Sequence, residues 1–561
     1  MHPNPTLVVT LAALLTASLL SACTRTGVDS TSPQPVVLPS QPQAIPRQHA
    51  QQAMRDMGKM QSTRMIAPMA LAEADYRMAN EPTDREIYAD IDENPIHRVA
   101  ESPVSTFSID VDTGAYSNVR RFLNAGRLPP TDAVRVEELI NYFNYADAGP
   151  ENADTPFAVH TEVGPTPWNA QTRLLRIGIK AWAPEADTRP AANLVFLVDV
   201  SGSMNADDKL PLLKRSLRLL SDQLTARDRV SLVVYAGASG VVLESTPGDK
   251  KAQIHAALNN LEAGGSTNGA SGIHLAYEQA RDGFIEDGIN RVLIATDGDF
   301  NVGNIDHDRL IDLIEQQRHD GIALTTLGFG SGNYNDALME QLADHGNGNH
   351  AYIDTLQEAR KVLVDELGST LQTVASDVKI QIEFNPTQVA EYRLIGYQNR
   401  ILAREDFNND KVDAGEIGAG HSLTALYEIT PLGNQTQIEP LRYAGKAATK
   451  VGKSPELAYL KLRYKPVGSK QSTLITHPIA ADAVQPTLAR TSDDYRFAAA
   501  VAAFGEQLRG GKYLGDMSYP AIHDLASAAR GEDPAGYRGS FLELIRLAAA
   551  LDGHPIKLSN R

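Results

Sequence analysis

The chain has 561 residues, with 52 Lys and Arg against 69 Asp and Glu, so its formal net charge is −17. This length predicts several folded domains rather than one. Hydrophobic residues make up 42% and charged residues 22%, which excludes a wholly disordered chain. The acidic balance, without any run of Lys and Arg, argues against a nucleic-acid partner. The single cysteine excludes an internal disulfide and a multi-cysteine metal site.

The first 23 residues have the pattern of a bacterial lipoprotein signal peptide. Leu7 to Ala22 is an apolar stretch too short for a confident membrane span but suited to the core of a signal peptide. It ends in Leu-Ser-Ala-Cys, which resembles the bacterial lipobox and implies acylation of Cys23. We therefore expect a lipid-anchored protein of the cell envelope, facing the periplasm. Thr24 follows the cysteine where inner-membrane lipoproteins carry Asp, which favours the outer membrane. The alternatives are a plain secretory signal and a buried cysteine.

The next segments in chain order are a tether and an α+β region. Residues 24–95 are rich in Pro, Gln and Met, a composition typical of an extended linker. Residues 96–189 predict a strand, a helix ending near Gly126, a second helix after Pro129-Pro130 and two alternating strands.

Residues 190–374 predict a doubly wound α/β domain. Six strand patterns alternate with helical ones, and four of the strands are nearly continuous apolar runs, as in a mostly parallel sheet buried on both faces. Residues 375–480 then predict antiparallel strands, as in a β-sandwich, and residues 481–561 are Ala-rich and helical. The predicted fold class is thus α/β, flanked by an N-terminal α+β region and a C-terminal β-rich and helical region.

Oxygen-bearing loops follow the strands of the α/β domain. Asp199, Ser201 and Ser203 end the first strand, Ser266 and Thr267 precede a helix, and Asp297 ends the fourth strand. If the strand order is 3-2-1-4-5-6, these loops meet at one edge of the sheet, where open α/β folds bind ligands. Hard oxygen donors of this kind suit a small divalent cation. With only two carboxylates, the bound ion would stay net positive and attract a carboxylate from another molecule.

The D-x-S-x-S motif with a later Thr and a later T-D-G resembles the metal-ion-dependent adhesion site of von Willebrand factor type A domains. The resemblance implies that Ser201, Ser203 and Thr267 contact the metal, whereas Asp199 and Asp297 act largely through bound water. It also implies that an Asp or Glu of a protein partner completes the coordination of Mg²⁺, with Mn²⁺ or Ca²⁺ as alternatives. The choice of Thr267 over Ser266 rests on this family pattern.

A wider resemblance covers the chain from about residue 102 to its end. The segments STFSIDVDTGAYSNVRRFLNAGRLPP, VRVEELINYF and ATDGDFNVG are similar to bacterial YfbK-type lipoproteins. Such proteins place a von Willebrand factor-like region before the type A domain and a characteristic domain after it. The resemblance implies an envelope protein but does not identify its partner.

The sequence contains two weaker motifs. Asp406, Asn408, Asp410, Asp413 and Glu416 resemble an EF-hand-like calcium loop, but Lys411 stands where such a loop needs Gly, so a polar turn is the alternative. Asp110-Val111-Asp112 resembles the D-x-D of haloacid-dehalogenase-type phosphatases without their later Lys and acidic pair, and we interpret it as a strand end and helix cap.

The functional hypothesis is metal-dependent adhesion to a protein partner. Since no nucleophile–base arrangement is evident, we predict no catalytic residues and no enzymatic activity. The alternatives are a structural envelope scaffold whose metal only holds loops and, less favoured, a metal-dependent hydrolase acting at the acidic cluster.

Overall fold

The computed structural model describes residues 86–152, 154–184, 189–266, 269–298, 307–412, 414–442 and 454–556. The predicted signal peptide, Cys23 and residues 24–85 of the tether lie outside these ranges, as do Thr267 and Asp413. All described residues belong to one compact unit, Pro82–Arg561.

The N-terminal segment has the elements that its sequence pattern predicts. Its first helix ends where Gly126 adopts a positive φ of 74°, and Pro129-Pro130 separates it from the next helical turn. The elements are β1 (His97–Arg98), β2 (Val104–Ser108), α1 (Gly114–Asn124), α2 (Val136–Asn141), β3 (Phe157–Thr166) and β4 (Asn169–Ala181).

The α/β domain is an alternation of strands and helices, as expected. Its elements are β5 (Ala192–Asp199), α3 (Leu210–Asp222), β6 (Arg229–Tyr235), β7 (Ser239–Pro247), α4 (Lys251–Asn259), α5 (Gly269–Asp282), β8 (Ile289–Thr296), α6 (His307–His319), β9 (Ala323–Phe329), α7 (Asp336–His345), β10 (His350–Ile353), α8 (Leu356–Arg360) and α9 (Leu367–Leu371).

The six strands of this domain form one sheet in the order β10-β9-β8-β5-β6-β7, with only β7 antiparallel. Counted within the domain, this is the order 3-2-1-4-5-6, so the expected order is confirmed. Alternate residues of β5 enter two different cores: Phe196 packs with α3 on one face, and Leu197 packs with α5 on the other. Burial on both faces explains why residues 194–198 of the strand are a continuous apolar run.

The antiparallel strands after the α/β domain combine with those before it. They are β11 (Thr373–Phe384), β12 (Val389–Ile395), β13 (Gly415–Gly418), β14 (Ser422–Pro431), β15 (Glu456–Pro466) and β16 (Thr473–Ala480). One sheet has the order β1-β12-β14-β4-β3, and the other has the order β13-β11-β15-β16 with β2 paired to β11. Both sheets contribute to one hydrophobic core, which includes Phe107, Ile177 and Ile382. The α/β domain is therefore inserted between two halves of a β-sandwich.

The C-terminal helices cover the helices of the N-terminal segment. They are α10 (Asp493–Leu508), α11 (Tyr519–Ala528) and α12 (Tyr537–Leu551). In α10 the run Ala498–Ala503 is fully buried, and its small side chains allow neighbouring helices to approach closely. Among the described residues, no helix combines the length and the hydrophobicity that crossing a membrane requires.

Candidate metal centre

The first loop of the candidate site holds a buried carboxylate in a fixed orientation. Asp199 ends β5 and is inaccessible to solvent. Its Oδ1 accepts a hydrogen bond from the Ser201 amide at 2.8 Å, and its Oδ2 accepts from the Tyr235 hydroxyl at 3.2 Å and the Thr296 hydroxyl at 3.0 Å. The hydroxyl oxygens of Ser201 and Ser203 lie 3.0 Å apart. Because Ser203 is exposed, the loop offers oxygen donors at the surface above the buried carboxylate.

The second loop is tied to the first by two backbone hydrogen bonds. The Gly264 amide donates to the Val200 carbonyl at 2.7 Å, and the Gly202 amide donates to the Gly265 carbonyl at 3.1 Å. These bonds hold the segment that leads to Thr267 beside the D-x-S-x-S loop. Thr267 itself lies outside the described residues, so its role as a ligand stays a prediction.

The third loop brings a second buried carboxylate to the same edge of the sheet. Asp297 directly follows β8, the strand that pairs with β5, and is inaccessible to solvent. The Lys209 ammonium donates to its Oδ2 at 2.8 Å. The next residue, Gly298, has φ of 91°, and a Cβ there would overlap the backbone of the turn before α7. Glycine is therefore required for this turn to carry Asp297 into the site.

The described side chains of the site keep a net negative charge, because two buried carboxylates face one ammonium, that of Lys209. Burial raises the pKa of Asp199 to about 6, and the charge of Asp297 adds to this rise, while hydrogen bonds from Ser201 and Thr296 oppose it. Two carboxylates and several hydroxyls meet here in a low-dielectric setting. Such a donor set fits a hard divalent ion, because the ion would relieve the repulsion between the carboxylates.

Lys209 was not identified from the sequence. It lies six residues after Ser203, and its contact with Asp297 spans 88 residues of chain. Its position at the start of α3 was visible, but nothing in the local pattern indicates that its side chain turns into the site.

A second group of buried acidic residues lies where the N-terminal segment meets the α/β domain. One carboxylate oxygen from each of Asp110, Glu138 and Glu340 lies within 4.8 Å of the others. Arg135 pairs with Glu138 at 2.7 Å and with Glu340 at 2.6 Å, while Arg400 pairs with Asp110 and Glu340 at 3.1 Å each. Since two guanidinium groups already serve these oxygens, we assign the group as an ion-pair network that joins the domains.

The interpretation of Asp110 and Asp112 as a strand end and helix cap is correct for the strand end and wrong for the cap. Both lie between β2 and α1, but Thr113 caps α1 without a side-chain hydrogen bond. Asp110 belongs to the ion-pair network, and Asp112 accepts a hydrogen bond from the His350 amide at 2.9 Å. These aspartates therefore connect domains, which a local pattern does not reveal.

The calcium-like loop makes contacts to the sandwich strands. Asn408 accepts a hydrogen bond from Arg463 at 3.0 Å, and Asp410 accepts one from Ser472 at 2.6 Å. The Asp406 carbonyl accepts from Lys379 at 3.2 Å. These bonds suit a polar turn. With Asp413 outside the described residues, and Glu416 in β13, the calcium site stays a prediction.

Three family descriptions match successive parts of the chain. "von Willebrand factor" matches residues 82–176, "von Willebrand factor type A domain" matches residues 193–366, and "Uncharacterized protein YfbK, C-terminal" matches residues 369–551. The six-stranded sheet and its helices are therefore a von Willebrand factor type A (vWA) domain, and the two flanking matches cover the two halves of the sandwich and its helices.

The full chain extends this assignment. It is similar to "Uncharacterized protein YfbK" of Escherichia coli (strain K12), with 50% identity over 498 residues that cover 88% of this chain and 85% of the relative. The chain belongs to the YfbK family, as the sequence motifs indicated. "Uncharacterized protein sll0103" of Synechocystis is 32% identical over 33% of this chain and 43% of that relative. A solved structure, "von Willebrand factor type A from Catenulispora acidiphila", is 16% identical with a TM-score of 0.41, covering 72% of this chain and 91% of that one.

Proposed function

We propose that the vWA domain binds a divalent cation and uses it to hold a protein partner through an Asp or Glu side chain. Mg²⁺ is the expected ion, with Mn²⁺ and Ca²⁺ as alternatives. The observation that supports this proposal most directly is that the buried carboxylates of Asp199 and Asp297 lie together beneath the hydroxyl groups of Ser201 and Ser203. Members of the vWA class commonly mediate protein interactions, which agrees with this proposal.

The buried and the exposed residues of the site have different proposed roles. Asp199 already accepts three hydrogen bonds and is held below the surface, so it suits a charge that acts through water. Ser201, Ser203 and Thr267 are the proposed direct ligands, and Asp297 supplies the second negative charge. When bound, the cation would supply an open coordination position that attracts a carboxylate.

A groove beside the site offers a surface for the rest of a partner. Its volume is about 840 Å³, and it runs from the D-x-S-x-S loop along α3. Asn205, Lys214 and Arg215 are among its lining residues. Asp207 and Glu262 also line the groove, so its charges balance, and the placement of a partner's charged and apolar groups would set specificity.

We further propose that the protein is anchored in the cell envelope through acylated Cys23, faces the periplasm and has no enzymatic activity. The apolar leader and the lipobox-like sequence support the anchor. The contact of Lys209 with Asp297 supports the absence of hydrolysis, because among the described residues this ammonium, which contacts the site, is held in an ion pair.

Metal binding is tested by thermal unfolding of the purified protein in Mg²⁺, Mn²⁺, Ca²⁺ or EDTA. An ion at 100 times its dissociation constant should stabilise the fold by about 2.7 kcal/mol. The shift should vanish in Asp199→Ala and persist in Asp249→Ala, which removes an exposed aspartate of the same domain. An equal shift in wild type and Asp199→Ala would refute the site.

Adhesion is separated from a scaffold role by partner capture from envelope extracts. Adhesion predicts capture in Mg²⁺ that is lost both in EDTA and in Asp199→Ala. A scaffold whose metal only holds loops predicts lower stability without metal but unchanged capture. Turnover of ester or phosphoester substrates that Asp199→Ala abolishes would instead establish the hydrolase alternative.

A further inference from the structure

Lys209 is a buried cation built into the candidate metal centre. Its side chain is 9% exposed, and its ammonium donates to Asp297 at 2.8 Å and to the Asn333 side chain at 3.2 Å. The methylenes of this lysine cross Gly330, where φ is 74° and a Cβ would overlap them. Glycine at that position therefore makes room for the lysine.

The backbone of Lys209 is held as firmly as its side chain. Its amide donates to the Ala206 carbonyl at 3.0 Å, and its carbonyl accepts from the Leu213 amide at 2.8 Å in the first turn of α3. The same short segment thus carries the serine hydroxyls and the ammonium. Their relative positions are set by one loop and one helix start.

The formal charges of the site then have a clear consequence. Within the described part of the site, the formal charges of Asp199, Asp297 and Lys209 add up to −1. A divalent cation brings the sum to +1, and a partner carboxylate brings it to zero. Without the lysine, the same cation would bring the net charge of the site to zero, and a partner carboxylate would then bring it to −1. A low-dielectric site favours the combination whose charges cancel.

We propose that Lys209 is a specificity-determining residue that couples the two ligands: it weakens retention of the cation alone and favours the cation together with an anionic carboxylate. This inference rests on the proposed function, because it assumes that the centre binds a divalent ion. It adds that the wild-type protein holds the ion tightly only when a carboxylate is present.

The test is calorimetric titration of the full chain with Mn²⁺, in sodium acetate or in sodium chloride of equal ionic strength. The variants are Lys209→Met, which keeps an aliphatic stem, and Lys250→Met, which removes an exposed ammonium of the same domain. For wild type and Lys250→Met, acetate should tighten Mn²⁺ binding. For Lys209→Met, binding in chloride should be at least about tenfold tighter, and acetate should add nothing, because removal of the nearby positive charge favours the cation and disfavours the anion.

The outcomes are distinguishable from failure of the metal site itself. If Mn²⁺ binds wild type and Lys209→Met equally, or if acetate acts on both alike, the role of Lys209 is refuted and the metal site stands. If Mn²⁺ binds neither protein in either salt, the proposed function and this inference fail together. Lys209→Gln, which keeps a hydrogen-bond donor, provides the same comparison should the methionine variant not fold.

Discussion

Arg135 offers the most direct test of how the vWA domain is joined to the rest of the protein. Its guanidinium lies 2.7 Å from Glu138 of α2, and 2.6 Å from both Asp336 and Glu340 of α7. The arginine side chain is 1% exposed, and its partners are between 0% and 9% exposed. Replacement by Met therefore leaves Glu138 and Asp336 without their guanidinium partner, whereas Glu340 keeps its pair with Arg400.

The magnitude follows from burial and from the pKa of Asp336. Burial alone would raise this pKa, but Arg135 and the hydrogen bond with His350 hold it at about 2, below the ordinary 3.8. That difference corresponds to about 2 kcal/mol of stability at neutral pH, shared between Arg135 and the hydrogen-bonding neighbours. Breaking a buried ion pair from one side generally costs about 3–5 kcal/mol. We therefore expect Arg135→Met to lose about 3–5 kcal/mol of unfolding free energy.

Urea denaturation at pH 7 measures this loss, and two further variants interpret it. Arg546→Met removes an arginine whose pair with Glu543 is largely exposed, so it should cost less than about 1 kcal/mol. Asp336→Asn combined with Arg135→Met should recover about 2 kcal/mol relative to the sum of the single changes, since one buried charge is gone. A loss below about 1 kcal/mol for Arg135→Met, or strict additivity in the double variant, contradicts the assignment of this network as the joint between domains.

Three further predictions address stability and location. Burial, with the charges of neighbouring acids, raises the pKa of Glu137 from 4.5 to about 7. The contribution of this side chain to the unfolding free energy is therefore present below pH 4.5 and is lost as the pH rises to 7. Relative to wild type, the unfolding free energy of Glu137→Gln should increase by about 3 kcal/mol across that range. Glu532→Gln, at an exposed position, is the control in the same pH-dependent denaturation, and a Glu137→Gln difference that does not change with pH would refute the shift. Gly298→Ala should cost more than Gly433→Ala by over about 1 kcal/mol, because both have φ above 90° but only the first Cβ meets backbone; equal midpoints in urea would argue against the tight turn. Cys23→Ser should abolish palmitate labelling and release the protein from membrane fractions, and continued labelling would exclude this anchor.

The vWA domain could be predicted from the sequence alone, and so could the strand-end positions of most of its candidate ligands. Strands buried on both faces have continuous apolar sequences. The order of these sequences along the chain, in alternation with helical patterns, indicates a doubly wound sheet. The D-x-S-x-S motif and the later Asp297 stand directly at strand ends, so a local pattern already places them at one edge. The role of Thr267 as a metal ligand, the acylation of Cys23 and the calcium-like loop remain sequence-based predictions.

The way in which the flanking regions combine is evident only in the folded chain. β4 pairs with β14 and β2 pairs with β11 across the inserted vWA domain, and such long-range pairings have no signature in either strand alone. The same holds for the buried ion pairs. Arg135 pairs with Asp336, which lies 201 residues further along the chain, and Lys209 pairs with Asp297, which lies 88 residues further along. From the sequence alone, a charged residue is predicted to lie at the surface, because its burial becomes favourable only when the fold supplies its counter-ion.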